Sequence, residues 1–103
     1  MTSEDKVYML NALWFKPDGA PAYDEYARAA GPIVARLGGR RVDAYRPVDA
    51  LIGDWRPDLF FIVEWPSWRA FTTLAADPDY LKIAQLRERG LARSLLIRCQ
   101  RLP

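Results

Sequence analysis

Two segments of the sequence are apolar at almost every position, so a strand built from either one has two faces that avoid water. The first, Val7–Phe15, contains a single polar residue, Asn11, and the second, Leu59–Trp65, contains a single acid, Glu64. Both are rich in β-branched and aromatic residues, which is typical of strands. Such strands need protein on both sides of their sheet, and this requirement constrains every other element of the fold.

A helix is predicted between these strands. Six residues share the spacing of one buried helix face: Tyr23, Tyr26, Ala27, Ala30, Val34 and Leu37. Gly38-Gly39 ends this helix, because glycine tolerates the left-handed conformation of a C-cap. Pro32 predicts a kink or a break, since proline removes one helical hydrogen bond.

The second helical region is predicted to consist of two pieces. Ser67 is a natural N-cap for a helix over Trp68–Ala76. Asp77 repeats that signal, and Pro78 after it suits the first position of a second helix that continues over Asp79–Arg89.

Two further strands complete the chain. Residues 42–52 alternate between apolar and polar side chains, and Pro47 favours an edge position or a bulge for this strand. Ser94–Arg101 is the last strand. The order βαββαβ with right-handed crossovers predicts an α+β, ferredoxin-like fold, a four-stranded antiparallel sheet with its helices on one face. The other face would expose an apolar patch too large for a soluble monomer, so a second copy is expected to pack sheet to sheet.

The chain has 103 residues, and residues 7–103 are predicted to form one domain after a flexible N-terminus, residues 1–6. No apolar run approaches the ~18 residues of a membrane span, so no membrane partner is expected. One cysteine, Cys99, and the lack of a charged leader favour the cytoplasm. The net charge of +2 and the missing aromatic signature of RNA-binding domains argue against a nucleic-acid partner. The absence of histidine argues against metal, haem or any other cofactor.

Several motifs together resemble the domain-of-unknown-function family thirteen-thirty, in the dimeric α/β-barrel superfamily. They are Tyr23-x-x-Tyr26, Gly38-Gly39, Gly53-Asp54-Trp55-Arg56-Pro57, Glu64-Trp65-Pro66-Ser67, and Asp77-Pro78-x-Tyr80 with Arg87. The resemblance covers Val7 to Arg101. It implies a homodimer whose two sheets face each other and enclose a cavity, and it implies no established reaction. The chain departs from the family where Arg46-Pro47 replaces a common Gly-Gly pair and where Ile52 replaces a common acid.

Glu64 is the candidate catalytic residue. It is the only acid in its apolar strand and shares a face with Phe60 and Ile62. If that face lines the dimer cavity, desolvation favours a general base, and Arg56 or Asn11 is placed to orient a substrate oxygen. The alternative is that Glu64 lies at the strand end and forms a salt bridge with an arginine.

The candidate ligand-binding residues are Asn11, Tyr26, Asp54, Trp55, Arg56 and Arg87. Asp54, Trp55 and Arg56 follow one another on a loop, where they form either the rim of a ligand cavity or a structural turn in which Trp55 plugs the barrel end. Tyr26 and Arg87 offer a hydroxyl and a guanidinium to an acidic ligand; the alternatives are a core tyrosine and a solvated arginine.

Two functions are compatible with this pattern. One is an enzyme that acts on a small aromatic or acidic molecule in the dimer cavity without metal or haem. The other is a non-catalytic ligand-binding or structural homodimer. Polar groups deep in a cavity favour the enzyme, and a cavity filled by side chains favours the second.

Overall fold

A computed structural model describes residues 5–103. Its elements are β1 (Val7–Phe15), α1 (Ala20–Arg36), β2 (Arg40–Tyr45), β3 (Leu59–Trp65), α2 (Trp68–Ala76), α3 (Pro78–Gly90) and β4 (Leu91–Cys99). The four strands form one antiparallel sheet in the order β2-β3-β1-β4. The predicted α+β, ferredoxin-like fold is therefore confirmed. The first four residues of the predicted flexible N-terminus lie outside the described residues.

The register of the two central strands separates their side chains into two sets. Val7 pairs with Trp65 and Met9 with Val63, and this set packs under the helices. Tyr8 pairs with Glu64 on the opposite side, which we call the open face because no helix covers it. Each of the two strands is thus apolar on both faces, as the sequence predicted.

The second strand is shorter than predicted. It ends at Tyr45 rather than near residue 52, and its register shifts between Arg41 and Ala44. The physical reason is that β3 offers no pairing partner beyond this point. Tyr45 pairs with Phe60, and β3 begins at Leu59, one residue before Phe60. Residues 46–56, which we call the arm, have no regular secondary structure.

Of the two alternatives at Pro32, the break is wrong, because α1 is one helix of 17 residues with Pro32 inside it; the kink stays a prediction. Pro32 is exposed, and so is Arg28, whose carbonyl cannot accept a helical hydrogen bond from proline. The helix ends as predicted, with Gly38 at φ 93°. Ala27, predicted to be buried, is exposed.

Both predicted caps in the second helical region are confirmed. The Ser67 hydroxyl accepts from the amide of Ala70 at 3.0 Å and begins α2. The Asp77 carboxylate accepts from the amides of Asp79 and Tyr80 and begins α3. It also accepts from the Arg36 guanidinium at 2.8 Å, which ties α1 to α3. This hydrogen bond to Arg36, together with those to the backbone amides, lowers the pKa of Asp77.

The start of α1 and the end of α3 approach each other through two glycines. The amide of Lys16 donates to the carbonyl of Gly90 at 2.9 Å. A Cβ at Gly90 would lie 2.5 Å from the carbonyl oxygen of Gly19. The Gly19 oxygen belongs to the backbone and cannot rotate away, so position 90 requires glycine.

We expect Gly90→Ala to lower the free energy of unfolding by roughly 1–3 kcal/mol, the range typical of overpacking. Gly31→Ala is the matched control, because nothing lies within 4 Å of a Cβ at that helical position. The control should be neutral or stabilising by up to ~1 kcal/mol. Urea denaturation of both variants measures the difference; equal stabilities would contradict the close approach.

Candidate functional site

The helix-facing side of the sheet carries two apolar clusters of buried residues, and the half-buried Val63 packs against both. One contains Val7, Met9, Trp65 and Leu74. The other contains Leu13, Tyr23, Phe61 and Leu91. On β1 the residue between the clusters is Asn11, which divides Met9 from Leu13. The core of this small domain is therefore interrupted by a polar layer, which is costly unless its groups are hydrogen-bonded.

Two tyrosines bridge the same gap from the helices. Tyr26 on α1 packs against the second cluster, and Tyr80 on α3 packs against the first. Their hydroxyls lie 2.8 Å apart. One hydroxyl donates to the other, so the accepting hydroxyl keeps its own proton to donate elsewhere.

Arg87 lies on the same side of α3 as Tyr80, two helical turns later. Its guanidinium Nη1 donates to the Ser94 hydroxyl on β4 at 3.5 Å, and its charge acts on Tyr23 and Tyr26. Within residues 5–103 no carboxylate forms an ion pair with it, although it is half-buried. We call Asn11, Tyr26, Tyr80, Arg87 and Ser94 the polar seam.

Burial fixes the protonation of the tyrosines. It raises the pKa of Tyr23 to about 12, although the charges of Arg87 and Arg41 act in the opposite direction. Burial and the hydrogen bond to Tyr80 raise the pKa of Tyr26 still further. Both phenols stay neutral at physiological pH, so Tyr26 serves as a hydrogen-bonding group and not as a phenolate base.

The seam opens to solvent beside β4. Leu96 pairs with Asn11 on the helix-facing side of the sheet, yet it is 51% exposed. Ser94 is also exposed. The helices therefore leave this edge of the sheet exposed.

The seam unites three of the predicted ligand residues, Asn11, Tyr26 and Arg87, on one side of the sheet. The side-chain amide of Asn11 already forms one hydrogen bond, because its Nδ2 donates to the carbonyl of Met9 at 3.2 Å. Its carbonyl oxygen is the remaining acceptor. Tyr80 and Ser94 were missing from the predicted set. The seven-residue spacing of Tyr80 and Arg87 was the available signal for Tyr80, whereas the position of Ser94 depends on the register of β4.

Glu64 lies on the open face, as expected, with Phe60 and Ile62. The suggestion that Asn11 orients a substrate for it is wrong, because Asn11 lies on the helix-facing side. The carboxylate of Glu64 is 3.4 Å from Lys6 Nζ and 3.4 Å from Arg40 Nη2. This is the salt bridge that the alternative interpretation named, and a catalytic role for Glu64 stays a prediction.

A shallow pocket of about 550 Å³ lies beside Glu64 on the open face. Its lining includes Tyr8, Arg40, Tyr45 and Phe60, with the last two rings stacked at 5.2 Å. It is open to solvent along one whole side. Its walls are those of a sheet surface, and a second protein layer would be needed to enclose it.

The loop residues lie apart from the polar seam. Asp54 and Arg56 are exposed. Trp55 is 46% exposed in the protomer, so its role as a plug of the barrel end stays a prediction for the dimer. Its ring meets Trp14 edge-on at 6.0 Å and Phe60 at 6.1 Å. Trp55 therefore extends the open face and does not contribute to the polar seam.

Among the helices of residues 5–103, none is both long and apolar enough to cross a bilayer. In that same range, no three cysteine or acidic side chains are grouped as metal ligands.

The sequence matches the family model described as domain of unknown function (DUF1330) over residues 6–98. Among solved structures, it is similar to the RPA0582 protein of unknown function from Rhodopseudomonas palustris, with 36% identity, a TM-score of 0.90 and coverage of 97% of this chain and 85% of that one. Among curated proteins, none matches the chain.

Two more distant structures share the fold. A dimeric ferredoxin-like protein of unknown function from Jannaschia sp. CCS1 has 12% identity and a TM-score of 0.73, with 92% of this chain and 98% of that one covered. A dimeric protein of unknown function with a ferredoxin-like fold, from Bacteroides fragilis, has 8% identity and a TM-score of 0.66, with 92% and 95% covered. The chain thus resembles proteins that are themselves dimeric.

The raised pKa values of Tyr23 and Tyr26 predict a split alkaline titration. Of the five tyrosines, at least two should ionise only above pH ~11, later than the ordinary value of about 10. Because the folded state holds these protons more tightly, its free energy of unfolding should be unaffected below pH 10 and fall as the pH rises beyond it. Ultraviolet absorbance measures the titration, with near-ultraviolet circular dichroism as the control for folding.

Tyr26→Phe should remove one late-ionising group and flatten the loss of stability above pH 10. Ionisation of all five tyrosines together near pH 10 in a folded protein would contradict the burial of this pair.

Proposed function

The chain belongs to the DUF1330 family, and we propose that it is a homodimer that binds a small organic acid, such as an aromatic carboxylate, in the polar seam of each protomer. The observation that carries the proposal is the half-buried guanidinium of Arg87, which has no ion-pair partner among the described residues. A partly desolvated cation without a counter-ion is unfavourable, and an acidic ligand supplies the missing charge.

The neighbouring groups suit the same ligand. One hydroxyl of the Tyr26–Tyr80 pair has a free proton, and the Ser94 hydroxyl already contacts Arg87. The two pairs are near each other, because the charge of Arg87 acts on Tyr26. A carboxylate accepts hydrogen bonds from several donors at once. The rings of Tyr23 and Tyr26, 5.5 Å apart, supply an apolar wall for an aromatic body.

The chemistry of the seam favours binding over acid–base catalysis. Its five residues include no carboxylate, histidine or thiol, and the buried phenol of Tyr26 stays neutral. The seam thus offers hydrogen-bond donors but no base that accepts a proton near neutral pH. An enzyme built on this site would need its base from the ligand itself.

The homodimer part of the proposal rests on the open face. The protomer exposes 7090 Å², whereas a globular monomer of its mass of 11.8 kDa exposes about 5,900 Å² by the usual scaling. The excess of about 1,200 Å² per chain corresponds to an interface of about 2,400 Å², the size of an obligate dimer. The radius of gyration of 14.2 Å also exceeds the roughly 13 Å of a compact chain of this length.

Benzoate is the first ligand to test, with benzyl alcohol as a neutral molecule of similar size. We expect benzoate to raise the melting temperature and benzyl alcohol to have no effect. Arg87→Gln should weaken benzoate binding at least tenfold in calorimetry, because a charged hydrogen bond is lost. Tyr80→Phe should weaken it less. Arg89→Gln, which changes an exposed arginine in the same helical turn, is the matched control.

Glu64→Gln distinguishes the two candidate sites. If it abolishes benzoate binding while Arg87→Gln does not, the ligand binds in the open-face pocket and the seam proposal is wrong. If benzoate, salicylate and phenylacetate all fail to bind, the carboxylate class is wrong.

The proposed homodimer predicts a mass twice that of the 11.8 kDa protomer. Multi-angle light scattering at micromolar concentration measures it. A monomer at 50 μM would contradict the proposed packing of the open faces.

A further inference from the structure

The arm leaves its own protomer with apolar side chains in water. Ile52 is 98% exposed and Leu51 is 89% exposed, and Val48 is nearly as accessible. Isolated exposed apolar residues are ordinary in soluble proteins, but three within five positions form a patch. The segment lies between Tyr45 and Pro57, and nothing else in the described chain covers it.

Both ends of the arm are fixed on the open face. Tyr45, just before it, stacks on Phe60 at 5.2 Å. Trp55, near its end, packs against Phe60 and against Trp14 on the central strand. The arm is therefore anchored beside the surface that the proposed dimer buries, and its free part projects from there. Pro57, directly after it, is fully buried and holds the return to β3.

The middle of the arm and the open face carry opposite charges. Arg46 and Arg56 lie at the two ends of the arm, and between them residues 48–54 contain Asp49 and Asp54 and no cation. The open face carries Arg93, whose guanidinium lies 4.3 Å from the Trp14 ring centre. No carboxylate in residues 5–103 forms an ion pair with Arg93. A segment with apolar residues and two acids thus faces a surface with exposed aromatics and an arginine that lacks an acidic partner.

We propose that the arm of each protomer docks on the open face of a second copy of the chain, so that the two arms clasp the dimer. The occupant is a second copy because the arm and its complementary surface are continuous with the face that supplies the excess area described above. A two-fold dimer repeats the contact, since each copy has one arm and one open face. The inference rests on the proposed homodimer and adds that the arm, outside the sheet, determines its affinity.

The test is the double variant Leu51→Asp/Ile52→Asp, with Leu102→Asp as the control. Leu102 is also an apolar residue in water, at 82% exposure, but it lies outside the arm. Because Leu51 and Ile52 contact little in the protomer, the variant should fold, and far-ultraviolet circular dichroism verifies this. Sedimentation equilibrium should show the dissociation constant of the dimer raised at least 100-fold in the arm variant and changed less than threefold in the control.

A charge exchange tests the surface on which the arm docks. Asp49→Arg/Asp54→Arg should weaken the dimer at least tenfold, and adding Arg93→Glu should recover most of that loss. Failure to recover would overturn the docking of the arm beside Arg93. A dimer as tight in the Leu51→Asp/Ile52→Asp variant as in the wild type would overturn the clasp and leave the sheet-to-sheet dimer standing. A monomeric wild type would overturn both.

Discussion

The pairing of β1 with β3 at the centre of the sheet is the interaction on which the rest of the structure depends. Both strands are apolar on both faces, so the hydrophobic effect acts on them from two directions at once. The helices satisfy one direction, with Trp65 and Leu13 completely buried beneath them. The other direction is left to the open face, which no helix covers. A single physical requirement thus yields both the helical layer and the need for a second copy.

Against that background, the polar seam is an exception to the principle that organises the fold. A chain of this size has little apolar surface to spare, yet Asn11 interrupts the buried side of its central strand, and two tyrosine hydroxyls meet between the helices above it. Among the described residues, no buried side-chain polar atom lacks a hydrogen-bond partner. The layer is therefore tolerated energetically, but an apolar side chain would contribute more to stability. The proposed binding of an acidic ligand would give this layer a role.

The two faces of the sheet have different surroundings and different chemistry. The helix-facing side holds the hydrogen-bond donors around Arg87, and the open side carries the apolar surface on which we propose that a second copy packs. Glu64 belongs to the second surface through its ion pairs with Lys6 and Arg40, and the arm extends that surface beyond the sheet. Because successive side chains along β1 point to opposite faces, neighbours such as Leu10 and Asn11 belong to different surfaces. Substitutions one position apart should therefore affect different properties of the protein.

The sequence alone determined the strand limits of Val7–Phe15 and Leu59–Trp65, the caps at Ser67 and Asp77 and the order of the elements, because these depend on local pattern and on local hydrogen bonds. It also identified Asn11, Tyr26 and Arg87 as candidates. Only the tertiary structure decided that these three lie on one side of the sheet and Glu64 on the other, because a face is set by the register between strands that are distant in the sequence. The early end of β2 could likewise not be predicted from the sequence pattern. Residues 46–52 alternate like a strand, but no neighbouring strand is there to form hydrogen bonds with them.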